Sequence, residues 1–171
     1  MLLAGDLIKY DSVEEDYDGT YLMFDVDAIE NNDEYSMLKN KKQLFTTMFG
    51  EMTISDNGFA ETLSENWSKH GIKVESDKCC VISILFNAYN ENNAFVGHTG
   101  ILIDCRDMES VDSNYLFVEK IAFGDPFKIT HVKDENDLIE MLSDRPDYRS
   151  EEGNPTPVVY KNGEIIGELK Q

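Results

Sequence analysis

One histidine and one glutamate stand inside consecutive apolar runs of the sequence. His98 lies between two glycines in the run 94–103, and Glu119 lies in the middle of the next run, 115–123. If the two runs are neighbouring strands and the side chains share a face, Glu119 can accept the Nδ1 proton of His98 and orient the imidazole. Because an oriented imidazole is a general base near neutral pH, the pair suggests hydrolytic catalysis. The competing interpretation is a structural histidine with a satisfied hydrogen bond.

The three cysteines do not provide an evident nucleophile for this pair. Cys79 and Cys80 begin an apolar run rather than a helix, where a helix dipole would favour the thiolate. Cys105 follows the His98 run in a polar turn. We therefore expect all three to behave as small hydrophobic residues or incidental thiols, and their odd number predicts no disulfide framework.

Acidic residues near the N-terminus suggest two further sites. The spacing of a calcium-binding EF-hand loop is approximated by Glu14, Asp16, Asp18 and Asp25, with Gly19 at the sixth position. The loop departs from that pattern at its first and last ligands, and a solvated charge run is the alternative. The Asp25-Val26-Asp27 segment also resembles the Asp-x-Asp motif of haloacid-dehalogenase phosphatases, although the α/β alternation of that class is absent. We expect no cofactor.

Charge and length limit the function classes. The chain has 171 residues with 15 Lys and Arg against 34 Asp and Glu, which gives a net charge of −19. Nucleic acids and anionic membranes are disfavoured partners, whereas cationic partners or divalent cations are favoured. No run approaches the ~20 apolar residues of a spanning helix. Residues 1–5 lack the basic and apolar regions of a signal peptide, so these residues favour a cytoplasmic location.

The hydrophobic pattern predicts one α+β domain over residues 1–171. N-terminal helices are followed by an antiparallel sheet with a C-terminal hairpin. The predicted helices cover 2–10, 39–49, 59–70 and 134–143, and the predicted strands cover 80–86, 94–103, 115–123, 126–132 and a hairpin at 158–169. Ser55 and Asp56 are expected to cap the 59–70 helix and Gly71 to end it. Asn162-Gly163 is a strong hairpin turn signal.

Several segments resemble a bacterial family called domain of unknown function 4300. The likeness is carried in order by 21–29, the segment from Trp67 to Lys78, 95–103 and 116–126. The resemblance implies a longer protein, often secreted or lipid-anchored, whose activity is not established. It also implies a cysteine at the start of a helix that precedes Met1 and continues into residues 2–8.

A helical cysteine, a strand histidine and a polar residue on the next strand follow the order of papain-like (NlpC/P60-type) hydrolases. On that resemblance His98 is the base, Glu119 is the orienter, and the substrate is a peptide or cell-wall amide. For the chain as given, we favour a non-catalytic or incomplete envelope-associated binding module. The alternative is a portion of a papain-like cysteine hydrolase or amidase whose nucleophile lies upstream. Two locations also stay open: residues 1–5 favour the cytoplasm, whereas the resemblance implies an extracellular or membrane-anchored protein.

Overall fold

An antiparallel sheet of seven strands organises the part of the chain that the structure describes. The structure is a computed structural model that describes residues 6–14, 41–88, 92–121, 125–150 and 152–171. The strands are β1 (Ile8–Lys9), β2 (Met52–Thr53), β3 (Lys73–Val74), β4 (Cys79–Asn87), β5 (Asn93–Asp104), β6 (Tyr115–Glu119), β7 (Lys128–Val132), β8 (Val158–Lys161) and β9 (Glu164–Glu168). The helices are α1 (Lys42–Phe49), α2 (Thr62–Lys69) and α3 (Glu135–Ser143), with 3₁₀ turns at Phe59–Glu61 and Pro146–Tyr148.

The strands of the sheet run in the order β7-β6-β5-β4-β8-β9, and β2 pairs with the start of β5. Strands β1 and β3 form a separate two-stranded ribbon. The expected helix over residues 2–10 is therefore wrong at its described end, because Ile8 pairs with Val74 and is buried. An apolar segment this short does not separate helical from strand periodicity, so its pairing partner decides its conformation.

Helices cover both faces of the sheet. Helices α1 and α2 pack on one face against Val81, Leu85 and Ile101, whereas α3 packs on the other against Ile82, Ile84 and Phe117. Because both faces are covered, residues 81–85 of β4 are all buried. The α+β class is confirmed, but the helices are not all N-terminal, since α3 lies between β7 and β8.

Helix α2 ends as expected but begins differently. Gly71 has a φ of 62°, and the amides of Gly71 and Ile72 donate to the carbonyls of Ser68 and Trp67, which is a Schellman motif. The predicted caps are wrong, because the hydroxyl of Ser55 donates to Gly58 O and no side chain caps α2. Residues 59–61 instead enter the helix through a 3₁₀ turn.

A β-bulge in β5 sets the direction of His98. Ile84 pairs with His98 and Leu85 pairs with Val96, so Gly97 is an extra residue opposite this pair. The bulge reverses the alternation of side chains. Val96 therefore joins the α1–α2 face while His98 points to the α3 face. A Cβ on Gly97 would lie 2.7 Å from Cδ2 of Phe86, so the position suits glycine.

The C-terminal hairpin closes through the expected Asn162-Gly163 turn. Both residues have positive φ, 53° and 83°, as a two-residue type I′ turn requires. The side-chain Oδ1 of Asn162 accepts a hydrogen bond of 2.8 Å from the amide of Val81. The turn is thus attached directly to β4.

Candidate functional site

His98 and Glu119 meet on the α3 face of the sheet. The register of β5 and β6 pairs Gly100 with Glu119, which puts His98 one diagonal step away on the same face. Nε2 of His98 lies 2.7 Å from Oε2 of Glu119. The sequence-based expectation of a contact through Nδ1 is therefore wrong, and Nε2 is the bonded nitrogen. Glu119 is also the last residue of β6 rather than the middle of a strand.

Arg145 and Tyr148 complete this cluster, and neither was anticipated from the sequence. The guanidinium of Arg145 donates from Nη1 to Oε2 of Glu119 at 2.9 Å and from Nη2 to Oε1 at 2.5 Å. Nη1 also donates to the Tyr148 hydroxyl at 2.9 Å. No spacing rule links these residues to Glu119, because they approach through the turn after α3. We call His98, Glu119, Arg145 and Tyr148 the buried network.

Burial and charge fix the protonation state of Glu119, whose side chain is fully buried. Burial alone raises the pKa of Glu119, but the hydrogen bonds from His98 and Arg145 and the charge of Arg145 outweigh it and lower the pKa to about 2. An ionised carboxylate only accepts hydrogen bonds, so Nε2 of His98 carries a proton. Nδ1 has no hydrogen-bond partner among the described residues.

A row of aromatic rings leads away from the imidazole, beginning with Tyr148. The Tyr148 ring lies 5.5 Å from the His98 ring, centroid to centroid, and 5.6 Å from the Phe86 ring. Phe86 in turn stacks on Phe95 at 6.0 Å. His98 is 8% exposed. The imidazole is therefore largely shielded from bulk water.

The three cysteines lie away from His98. Strand β4 reaches His98 at Ile84, and Cys80 precedes Ile84 by four residues, about 13 Å along a strand. Burial raises the pKa of the Cys80 thiol, which disfavours the nucleophilic thiolate. Cys105 is buried after β5, and its Sγ lies 3.6 Å from the carbonyl of Ile103. The described residues thus bring a histidine and a carboxylate together without a thiol beside them.

A family model for a domain of unknown function, DUF4300, matches residues 1–166. The chain belongs to the DUF4300 family. No curated protein and no solved structure matches it. Among the described residues of this DUF4300 chain, no helix is long and apolar enough to cross a membrane.

Of the four residues expected to bind calcium, only Glu14 lies among the described residues. Glu14 of the DUF4300 chain accepts hydrogen bonds from Lys69 at 2.9 Å and from His70 at 3.0 Å, which lower its pKa despite partial burial. Asp16, Asp18 and Asp25 lie outside the described residues, as does Asp27 of the phosphatase-like motif. Within the described ranges, no group of three His, Cys, Asp or Glu residues is arranged to hold a metal ion.

A second histidine cluster lies at the end of α2. We call it the clasp, and it comprises Ser12, Glu14, Lys69 and His70. The hydroxyl of Ser12 lies 3.0 Å from Nδ1 of His70, whose Nε2 contacts Glu14. His70 is the C-cap residue of α2 and is only 4% exposed. The amides of Asp11 and Ser12 both donate to the carbonyl of His70, so they are not available to stabilise an oxyanion. The clasp therefore reads as an anchor for the N-terminal segment in this DUF4300 fold.

A cavity of about 590 Å³ opens beside α1, β2 and α2, on the side of the sheet away from the buried network. Its charged and amide lining residues are Glu14, Glu51, Glu65, Asn66, Lys69 and Asn93. Three carboxylates against one ammonium make this DUF4300 cavity acidic. A cationic ligand is the complementary occupant.

Proposed function

We propose that this DUF4300 protein supplies the base half of a papain-like cysteine hydrolase or amidase. His98 is the general base and Glu119 is the orienting residue. One observation carries the proposal: Nε2 of His98 is held at 2.7 Å by an ionised, buried carboxylate while Nδ1 stays unbonded among the described residues. A carboxylate that orients the ring through one nitrogen and leaves the other nitrogen unbonded is the arrangement that a general base requires.

The proposed chemistry is acyl transfer from a peptide or cell-wall amide. Nδ1 of His98 takes the proton of a thiol on a segment preceding Met1, and the sulfur attacks the amide carbonyl carbon. The resulting imidazolium, stabilised by Glu119, then gives that proton to the leaving amine. In the second half, His98 takes a proton from water, which attacks the thioester and releases the acid and the thiol.

The test is hydrolysis of fluorogenic peptide amides and cell-wall stem peptides by the protein purified from its native host. We expect His98→Ala to lower kcat/KM by 10² to 10⁴-fold, roughly the contribution of a general base. His131→Ala is the matched control, because His131 is exposed on β7 and should leave turnover unchanged. Absence of hydrolysis, or full activity in His98→Ala, contradicts the proposal. So does activity lost by replacing Cys79, Cys80 or Cys105.

The acidic cavity favours a second candidate, a non-catalytic envelope-associated module that binds a cationic ligand. Spermine and a lysine-rich peptide are suitable probes for calorimetry. We expect Glu51→Gln and Glu65→Gln to weaken binding and 1 M salt to abolish it, because exposed charge pairs are screened. Glu164→Gln on the exposed edge of β9 is the control. Binding that is equal in all variants contradicts this candidate.

A further inference from the structure

The carboxylate of Glu119 is shared between a permanent cation and a titratable ring. Oε2 accepts from both Arg145 and His98, whereas Oε1 accepts from Arg145 alone. The guanidinium of Arg145 remains charged at every accessible pH. It therefore balances the negative charge of Glu119 without any need for a proton on the histidine ring.

The position of Arg145 is fixed by its surroundings. It follows Asp144, the C-cap residue of α3, and precedes Pro146, which opens a 3₁₀ turn. Its guanidinium carbon lies 5.2 Å from the centroid of the Tyr148 ring, and Nη1 bonds the Tyr148 hydroxyl. Its side chain is 15% exposed. A guanidinium that makes two hydrogen bonds to one carboxylate and also contacts an aromatic ring is held firmly in place beside Glu119.

We propose that Arg145 is a positioning residue that keeps the His98 imidazole neutral, with the proton on Nε2 and the lone pair on Nδ1. This inference rests on the proposed base role of His98. Glu119 and Arg145 together carry no net charge, so the buried ring need not become cationic to balance its neighbour. Without Arg145, an ionised buried carboxylate 2.7 Å away would draw a proton onto the ring, because a buried charge without a partner is costly.

The groups that face the ring from each packed element agree with this charge balance. Strand β6 contributes Glu119, and the segment after α3 contributes Arg145 and the neutral Tyr148. Strand β4 presents Ile84 opposite His98 and the Phe86 ring beside Tyr148. Arg145 therefore holds the balancing charge of this site among the described residues.

The experiment is long-range ¹H–¹⁵N NMR of the histidine rings in the 171-residue chain at pH 7. The parent should show the neutral Nε2–H pattern for His98. Arg145→Met should move at least half of the signal to the imidazolium pattern, and Arg145→Lys, which keeps the charge, should restore the neutral pattern. Arg149→Met is the matched control, because Arg149 is an exposed arginine on the same turn and should change nothing. The His70 resonances report whether the fold is intact.

Two results overturn the inference: an imidazolium pattern in the parent, or a neutral pattern retained in Arg145→Met. The second result would make Arg145 a purely structural bridge between α3 and the sheet. If Arg145→Met does not fold, Arg145→Gln takes its place, because it keeps one N–H donor to Glu119 while removing the charge. We expect the same shift to the imidazolium pattern in this variant. The spectra report on the ring and not on turnover. A failed hydrolysis test with a charge-dependent ring thus removes the base role alone, while an unresponsive ring in an active protein removes only the role of Arg145.

Discussion

The buried network and the clasp use the same pair of residue types in opposite surroundings. In the buried network, the carboxylate of Glu119 has no exposed surface and is bound by arginine on both oxygens. In the clasp, the side chain of Glu14 is 47% exposed and is bound by Lys69, a flexible ammonium. Both carboxylates lie within 3.0 Å of a histidine Nε2. Both rings are buried, so the burial of the carboxylate, rather than the contact itself, distinguishes the two clusters.

This difference predicts where charge matters. Water can replace any partner of Glu14 at little cost, whereas nothing replaces Arg145 beside Glu119. Matched substitutions in the two clusters test this difference. The first pair replaces the cation that binds each carboxylate.

Arg145→Met should be the most damaging of these changes. It leaves a buried carboxylate without its cation and should lower the free energy of unfolding by about 3–5 kcal/mol. Lys69→Met, the matched change in the clasp, should lower it by less than about 1 kcal/mol. Urea unfolding at pH 7 measures both. A double variant with Glu119→Leu and Arg145→Met should be more stable than Arg145→Met alone, and equal losses at the two single sites would remove the distinction.

The pH dependence of stability should follow Glu119. Its pKa is about 2 in the folded protein against an ordinary value of 4.5, so its contribution is present above pH 4.5 and is lost as the pH falls towards 2. The full contribution is about 3 kcal/mol, at 1.36 kcal/mol for each pH unit. Unfolding titrations of the parent and Glu119→Gln over this range should diverge. Parallel curves would contradict the assigned ionisation of Glu119.

Gly100, which pairs with Glu119 across the sheet, should not accept a larger side chain. A Cβ on Gly100 would lie 2.5 Å from Cε2 and Cζ of Phe117, a fully buried ring. We expect Gly100→Ala to cost about 1–3 kcal/mol of unfolding free energy. Adding Phe117→Leu should recover part of that loss if the ring is the obstacle, and a double-mutant cycle measures the coupling. Strictly additive losses would contradict this explanation.

The smallest effect is expected at the clasp. Ser12→Ala removes the hydrogen bond between the exposed Ser12 hydroxyl and the buried His70 ring and should cost under about 1 kcal/mol. Glu14→Gln should matter only at low salt, because ionic screening weakens exposed pairs. Thermal unfolding in 0.05 M and 1 M NaCl tests both variants. If Glu14→Gln lowers the stability equally at both salt concentrations, the charge pairs of Glu14 are not screened and the explanation is contradicted.

The adjacency of His98 and Glu119 was predictable because consecutive apolar runs in an α+β chain pair as neighbours. Their relative orientation was not, because the bulge at Gly97 has no periodic signature and reverses the face of every residue beyond it. The contact between Arg145 and Glu119 was also not predictable from the sequence, because it depends on how α3 packs against the sheet. The clasp was missed for a different reason: Ser12 and Glu14 sit in what reads as a solvated acidic run, and only a distant helix end gives them a partner.

The strand order has a consequence for the sequence of folding events. Strands β4 to β7 follow one another as neighbours, so their contacts close short loops, whereas β8 must return from far along the chain to pair with β4. Because long loops close at a greater entropic cost, we expect the meander of β4 to β7 to form before the C-terminal hairpin docks. His98 and Glu119 both belong to that meander, while Arg145 comes after it. The imidazole would then meet its carboxylate early, and the guanidinium of Arg145 would join them only when α3 and the turn after it dock.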